Sequence, residues 1–463
     1  MSDTPSRPAA ALARRRCVIV GVGSRSALYQ DAIETVHAAA AELVGLCDAN
    51  AGRIELARRR SLANGARPAP GYAAADFDRM LAERRPDTVI VTTPDATHVD
   101  FVVRAMEAGC DAITEKPMAT DAAQCRRLLE ARRRTGRQCR VTFNYRYSPA
   151  RSQVKDLLMA GTIGDVLSVD FHWMLNTHHG ADYFRRWHAE KKNSGGLFVH
   201  KATHHFDLVN WWLGASPVSV MATGKREFYT PATARRMGLA GSHERCHTCP
   251  EAGACAFRLD LAGNETLRAL YLENERHDGY FRDRCVFRPG IDIEDTMNAL
   301  VTYDTGATLS YSLNAFNAWE GYTVAFNGTL GRIEHRMVES VYADGVESAP
   351  GGGTQAVVTT RVVPLRGAGY EVEPWTATGG HGGGDRLMLE DIFSAAPAAD
   401  KYLRAADERA GACSVLVGIA ANRSLASGGR IDVADLIGPL PHPDHAPMPT
   451  RRDALPMPAA ARG

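Results

Sequence analysis

The chain has 463 residues, 45% of them hydrophobic, enough for two or three domains with substantial cores. Lys plus Arg number 54 and Asp plus Glu 53, so no basic excess points to a nucleic-acid partner. No apolar run reaches the ~18 residues of a membrane span. The opening "MSDTPSRPAAALARRRCVIVGVG" lacks the apolar segment and small-residue cleavage site of a secretory signal. The expectation is a cytoplasmic protein with a flexible tail over 1–14.

"RCVIV" at 16–20 is a short apolar run suited to a buried parallel strand. "GVGSRS" follows, then "ALYQDAIETVHAAA" at helical spacing, and a second strand, "ELVGLCD", ends at Asp48. "DTVIVTTP" and "DAITEKP" read as strands, separated by the helix "HVDFVVRAMEAG". "DAAQCRRLLEARRRTG" is a further helix and "QCRVTFNYRY" a further strand. Such alternation predicts βαβ units on a parallel sheet, here over 15–148. Beyond it "GDVLSVDFHWML", "NALVTY", "ATLSYSLNAF" and "YTVAFNG" alternate like half-solvated strands in hairpin order, predicting an α/β domain over 149–435 with a mainly antiparallel open sheet. Late helices fall in "GGGDRLMLEDIFSA" and "RAADERAGACSVLVGIAANRSLASGG". Residues 436–463 are rich in Pro and Ala and are expected to be a second flexible tail.

Gly21 and Gly23 stand between the first strand and the first helix. There the first glycine permits a tight turn and the second lets backbone approach a pyrophosphate at a helix N-terminus. The third position of the fingerprint is Ser26, a small departure. Asp48 closes the next strand, where a carboxylate accepts ribose hydroxyls and repels a 2′-phosphate, favouring NAD over NADP. Arg25 is the complication, because it could pair with a 2′-phosphate.

"TTPDATHVD" at 92–100, "TEKPMA" at 114–119, "GVGSRS" and the helix start after Gly195-Gly196 together resemble the Gfo/Idh/MocA oxidoreductase family over roughly residues 15 to 435. The resemblance implies an N-terminal Rossmann domain and a C-terminal α/β domain whose open sheet serves oligomer contacts. It implies sugar, sugar-derivative or cyclitol substrates and a tightly held nicotinamide cofactor. It places cofactor contacts at Gly21, Gly23, Ser24, Arg25, Asp48, Thr93, Pro94, His98, Glu115 and Lys116. It makes Lys116 catalytic, with Pro117 in a bend open to the cis form. A Lys at the carboxyl end of a buried strand lies at the ligand edge of such a sheet, where its ammonium can assist proton transfer.

The family motif is Gly-Gly, three residues, Asp, three residues, His, two residues, Asp. On this chain His204 takes the histidine position and Asp207 the last acid, while His200 replaces the first acid. His200 and His204, four apart, share a helix face. His204 is the expected acid/base with Lys116 as partner, and His200 a second proton relay or substrate ligand. His205 and Asp207, with Arg185, Trp187 and His188 upstream and Asn144 and Arg146 after the last Rossmann strand, are expected substrate contacts, since polar groups and aromatic faces suit a polyhydroxylated ring.

Residues about 226–290 exceed the family core. Cys246, Cys249, Cys255 and Cys285 follow the pattern C-x2-C-x5-C-x29-C, for which structural zinc is the leading expectation. An iron–sulfur cluster and free thiols are the alternatives, and His243 and His247 are spare ligands. The other six cysteines fall in strands or helices as small apolar residues.

Three functions compete. The leading one is hydride transfer between NAD and a hydroxyl-bearing carbon of a sugar, sugar derivative or cyclitol, by a homo-oligomer that engages no nucleic acid or membrane. The second is redox-neutral cleavage or isomerisation of a glycoside or anhydro sugar through transient oxidation by bound NAD, with His200 as second base. The third is non-catalytic nucleotide sensing, which Lys116 and His204 argue against.

Overall fold

The structure, a computed structural model, describes residues 13–343, 346–348, 357–394, 398–440, 442–450, 452–455 and 457. The expected N-terminal tail therefore lies outside the described residues except for 13 and 14.

The first domain carries β1 (Arg15–Val20), β2 (Ala41–Asp48), β3 (Gly71–Ala73), β4 (Thr88–Val91), β5 (Asp111–Thr114) and β6 (Cys139–Val141). They form a parallel sheet in the order β6-β5-β4-β1-β2-β3. The order reverses at β1, which places the glycine turn and the β4 and β5 ends along one carboxyl edge. β1 and β4 are fully or almost fully buried along their apolar runs, as strands covered on both faces must be. Strand "QCRVTFNYRY" is shorter than expected: β6 stops at Val141, and Asn144–Tyr147 forms a 3-10 turn leading into the helix Pro149–Met159.

The second domain is built on β7 (Val166–Asn176), β8 (Pro217–Lys225), β9 (Thr296–Tyr303), β10 (Thr308–Asn317), β11 (Trp319–Gly328) and β12 (Gly331–Ala343). β13 (Val346–Ser348), β14 (Val358–Pro364) and β15 (Tyr370–Val372) extend one side. β16 (Ala406–Asp407) pairs antiparallel with β6 of the first domain, and β17 (Ile431–Asp432) pairs with β8. The sheet is antiparallel except where β10 runs parallel to β7. One face packs on the helices Ala202–Leu213 and Glu408–Ser427; the other leaves Met221 and Leu300, neighbours in register, exposed.

The long helix Glu408–Ser427 starts where Asp407 caps the backbone N–H groups of Arg409 and Ala410. It runs tight against the segment that leads into the helix Ala202–Leu213. A Cβ on Gly418 would sit 2.3 Å from the Phe198 carbonyl oxygen, so only glycine permits this approach.

Residues 442–450, expected in a flexible tail, lie against the second domain. Arg409 donates to the His442 carbonyl and to Asp444, Ala446 is buried, and the Met448 sulfur receives Lys155 Nζ at 3.0 Å.

Candidate active site

β5 delivers Glu115, Lys116 and Pro117 to the sheet edge, with a cis Lys116–Pro117 bond. Glu115 Oε1 accepts Arg25 Nε at 2.6 Å and the Tyr29 hydroxyl at 2.7 Å, which ties this strand end to the first helix. His98 bridges the Pro117 and Thr93 carbonyls at 2.8 Å each, fixing the β4 loop to the β5 loop. Glu115 and His98, both expected at the cofactor, stand at this sheet edge with these partners. Lys116 Nζ donates to the His200 carbonyl at 3.4 Å. Burial brings its ammonium down to about 8, against the opposing pull of Asp95 and Glu115.

Gly195 and Gly196 adopt φ +70° and +77° and turn the chain into Leu197–His200 and then Ala202–Leu213. His200 Nδ1 meets Asp95 Oδ2 at 2.5 Å across the domain boundary. Burial raises the Asp95 carboxyl and lowers the His200 imidazole, whose drop is reinforced by Lys116. Both shifts favour an uncharged pair sharing one proton. His204 stacks on Tyr145 with ring centroids 4.3 Å apart, and its Nδ1 has no hydrogen-bond partner. Burial, Lys116 and Lys201 keep it neutral at ordinary pH. Thus Lys116, His200 and His204 are brought together.

Trp187 stacks on His188, and His188 meets His200 edge-on at 4.1 Å, so both stand beside this group. Asn144 donates to Asp385 at 2.7 Å, holding the loop His381–Asp385 over Tyr145. The other four expected substrate contacts are placed elsewhere. Arg146 and Asp207 form a bidentate pair at 2.7 and 2.6 Å, with side chains only 5% and 1% exposed. Their charged groups are spent on each other. His205 stacks on Trp173 and bonds the Tyr311 hydroxyl inside the second domain's core. Arg185 is buried, with its Nε 3.9 Å from Asp182 Oδ1.

Sequence reasoning missed several groups. Asp95 lies in "TTPDATH", where the resemblance marks only Thr93, Pro94 and His98 as cofactor contacts. Lys201 reaches the Tyr145 hydroxyl at 3.2 Å and Glu320 at 3.7 Å. Glu320 also accepts from His179, whose other ring nitrogen meets the Tyr183 hydroxyl. His381 lies against Tyr145. None of these had a local signal, because each partner arrives from a different element.

At the glycine turn, Gly21 has φ +87° and a Cβ there would lie 2.7 Å from Thr93 N, whereas a Cβ on Gly23 would meet nothing within 4 Å. The first glycine is therefore a packing necessity, and the second faces the open cradle a dinucleotide needs. Asp48 receives the Val22 and Asn50 backbone N–H groups at 2.6 and 2.7 Å and closes this cradle. Residues 15–143 match the family model described as an oxidoreductase family, NAD-binding Rossmann fold. Residues 155–433 match its companion, the C-terminal alpha/beta domain. The chain belongs to the Gfo/Idh/MocA oxidoreductase family. It is 37% identical over 414 residues to the putative oxidoreductase YteT of Bacillus subtilis (strain 168), covering 85% of this chain and 92% of that one. It is 38% identical over 206 residues to an inositol 2-dehydrogenase of Gluconacetobacter diazotrophicus, a match that spans 43% of this chain and 56% of that protein. Among solved structures, the WlbA dehydrogenase from Bordetella pertussis in complex with NADH and UDP-GlcNAcA superposes with a TM-score of 0.59 at 20% identity, covering 91% of this chain and 99% of that one. That likeness is one of fold.

In this family member the cysteine insert departs from the zinc expectation. Among the described residues, no group of three or more His, Cys, Asp or Glu could hold a metal ion. Cys246 and Cys285 are drawn near each other by the Arg245–Arg284 bridge, and none of the four thiols is in a disulfide. The insert is fastened by other means. Arg245 pairs with Glu275 and Asp283, His243 with Glu251, and Phe257 packs on Phe287 at 5.2 Å. The remaining six cysteines are buried, as expected of small apolar residues.

Proposed function

We propose that the protein is an NAD-dependent dehydrogenase acting on a hydroxyl-bearing carbon of a sugar, sugar derivative or cyclitol. The observation that carries this reading is Lys116, half-buried at the sheet edge with its ammonium brought down to about 8, its Nζ on the carbonyl of His200, one helical turn before His204. Bound NAD supplies the hydride acceptor. Lys116 in its neutral form takes the hydroxyl proton as the carbonyl forms, and becomes ammonium. His204 is positioned to pass that proton onward, and the Asp95–His200 pair holds one further proton next to it. NAD is favoured over NADP because Arg25 is committed to Glu115 and to Asp385 at 3.7 Å, while Asp48 would repel a 2′-phosphate. The inositol dehydrogenases among the relatives support a cyclitol or sugar as substrate. The exposed pair Met221 and Leu300 supports self-association through the open sheet face.

The test mixes NAD-loaded protein with a panel of sugars, uronic acids, cyclitols and glycosides, following reduced-nicotinamide absorbance and product together. Lasting NADH with an oxidised product is the expected result. A transient signal with a cleaved product and no net NADH would overturn it.

The pH dependence has a definite sign. A base must be deprotonated, so oxidation rises with pH through about 8, the Lys116 value, and reduction falls over the same range because it needs the ammonium. Profiles of kcat/KM in both directions check this; parallel profiles would remove Lys116 from the proton-transfer step.

A further inference from the structure

The insert does more than decorate the second domain. Its segment Glu265–Asp278 crosses to the first domain and lands on the glycine turn. Tyr271 is buried, and its hydroxyl donates to Ser24 Oγ at 3.3 Å, one residue past Gly23. Asn50, next to Asp48, donates to the Asn274 carbonyl at 2.9 Å, and Arg53 to the Leu270 carbonyl at 3.3 Å. Arg53 also pairs with Asp278 at 2.8 Å. A Cβ on Gly52 would meet Asn274 Oδ1 at 1.7 Å, so the seat on the first domain is a close one.

Three guanidinium groups gather around Tyr271. Arg53 and Arg282 each stand 5.6 Å from its ring centroid, and the Arg186 charge acts on the same hydroxyl. Each of the three keeps one buried nitrogen without a partner: Arg53 Nη2, Arg186 Nε and Arg282 Nε. Buried donors left unsatisfied are costly, and three in one place call for an acceptor-rich anion. Neighbouring carboxylates engage other nitrogens of these groups, Asp278 on Arg53 at 2.8 Å among them. Asp182 is committed in bidentate fashion to Arg282 and stands 3.8 Å from Arg186.

We infer that the insert completes the dinucleotide site, with its Tyr271 and Arg282 and the neighbouring Arg186 closing over the cofactor's diphosphate beside the glycine turn. This rests on the NAD reading. A diphosphate has the oxygens to satisfy guanidinium donors, and the Tyr271–Ser24 contact places them at the pyrophosphate end of the cradle. A substrate phosphate or carboxylate would present the same chemistry to these arginines, and the test separates the two.

The experiment measures nucleotide retained by the purified full-length protein through gel filtration, and the rate at which bound NAD and bound ADP-ribose leave into a competitor trap. Arg186→Gln and Tyr271→Phe are the variants, and Tyr271→Phe removes only a hydroxyl, so folding is preserved. Expected is a stoichiometric nucleotide on the wild type, and release at least tenfold faster in Arg186→Gln for both ligands, because both carry the diphosphate. A smaller acceleration is expected in Tyr271→Phe. Saturable NAD binding with release unchanged in both variants would overturn the clamp and leave dinucleotide binding standing. Unchanged nucleotide release with weakened binding of an anionic sugar would assign the arginines to substrate and also overturn it. No NAD binding by the wild type would remove the clamp and the NAD reading together.

Discussion

Replacing Lys116 with alanine lowers kcat/KM by about 100- to 10,000-fold, the range for loss of a positioned acid/base, and leaves NAD affinity unchanged. The lysine's polar contact to the His200 carbonyl is long at 3.4 Å, so the ammonium is held in place chiefly by packing and by the charges of Asp95 and Glu115. It is therefore available to a substrate hydroxyl. Arginine at the same position separates charge from proton transfer, since a guanidinium stays protonated throughout the working range. Lys116→Arg is expected to be as inactive as the alanine variant. A nearly active arginine variant would make the role electrostatic, and an alanine variant within about tenfold of wild type would sink the catalytic assignment. His204→Ala should fall by a similar factor, and the double variant by much less than the product, because the two groups move one proton together.

What could be read from the chain follows the range of the forces involved. β1, β2, β4 and β5 announced themselves because a strand buried on both faces is a continuous apolar run. The three-residue β3, "GYA", has only one buried side chain and no such run. Lys116 was legible because its position at a strand end is a local property. The Asp95–His200 pair was not, since its two halves lie 105 residues apart and meet only when the domains close. The adjacent histidines illustrate the same limit. His204 and His205 carry identical chemistry, and the helix rotation between neighbours sends one to the Tyr145 side and the other into the Trp173 and Tyr311 core. Asp207 and Arg146 were both legible as charged groups near the cleft, but nothing local said that they would neutralise each other. The insert was visible as an excess over the family core, and its cysteines drew attention to metal. Its seat on the glycine turn rests on contacts such as Asn50 to Asn274, 224 residues apart, which no spacing rule reaches.

The Arg146–Asp207 pair carries the largest expected effect on stability. Asp207→Ala removes the carboxylate that, among the described residues, alone is hydrogen-bonded to a guanidinium 5% exposed, and Phe143 and Trp211 close the site on either side. Leaving one charge of a buried pair without its partner costs about 3–5 kcal/mol, which at this size corresponds to a fall in Tm of roughly 5 °C. The pair itself contributes less than that figure suggests, because desolvating both charges offsets much of their attraction. The raised Asp207 carboxyl, held up by burial against the pull of Arg146, is the sign of that offset. Replacing both residues together, as Arg146→Met with Asp207→Leu, should therefore recover most of the loss. Thermal unfolding of the single and double variants gives the coupling directly. A single variant within about 2 °C of wild type would mean that the arginine escapes to water, and the buried geometry at the domain junction would be wrong. If instead the single variant melts early but turns over normally once folded, the pair is architectural, and the acid at this position of the helix serves the domain junction and makes no contact with the sugar.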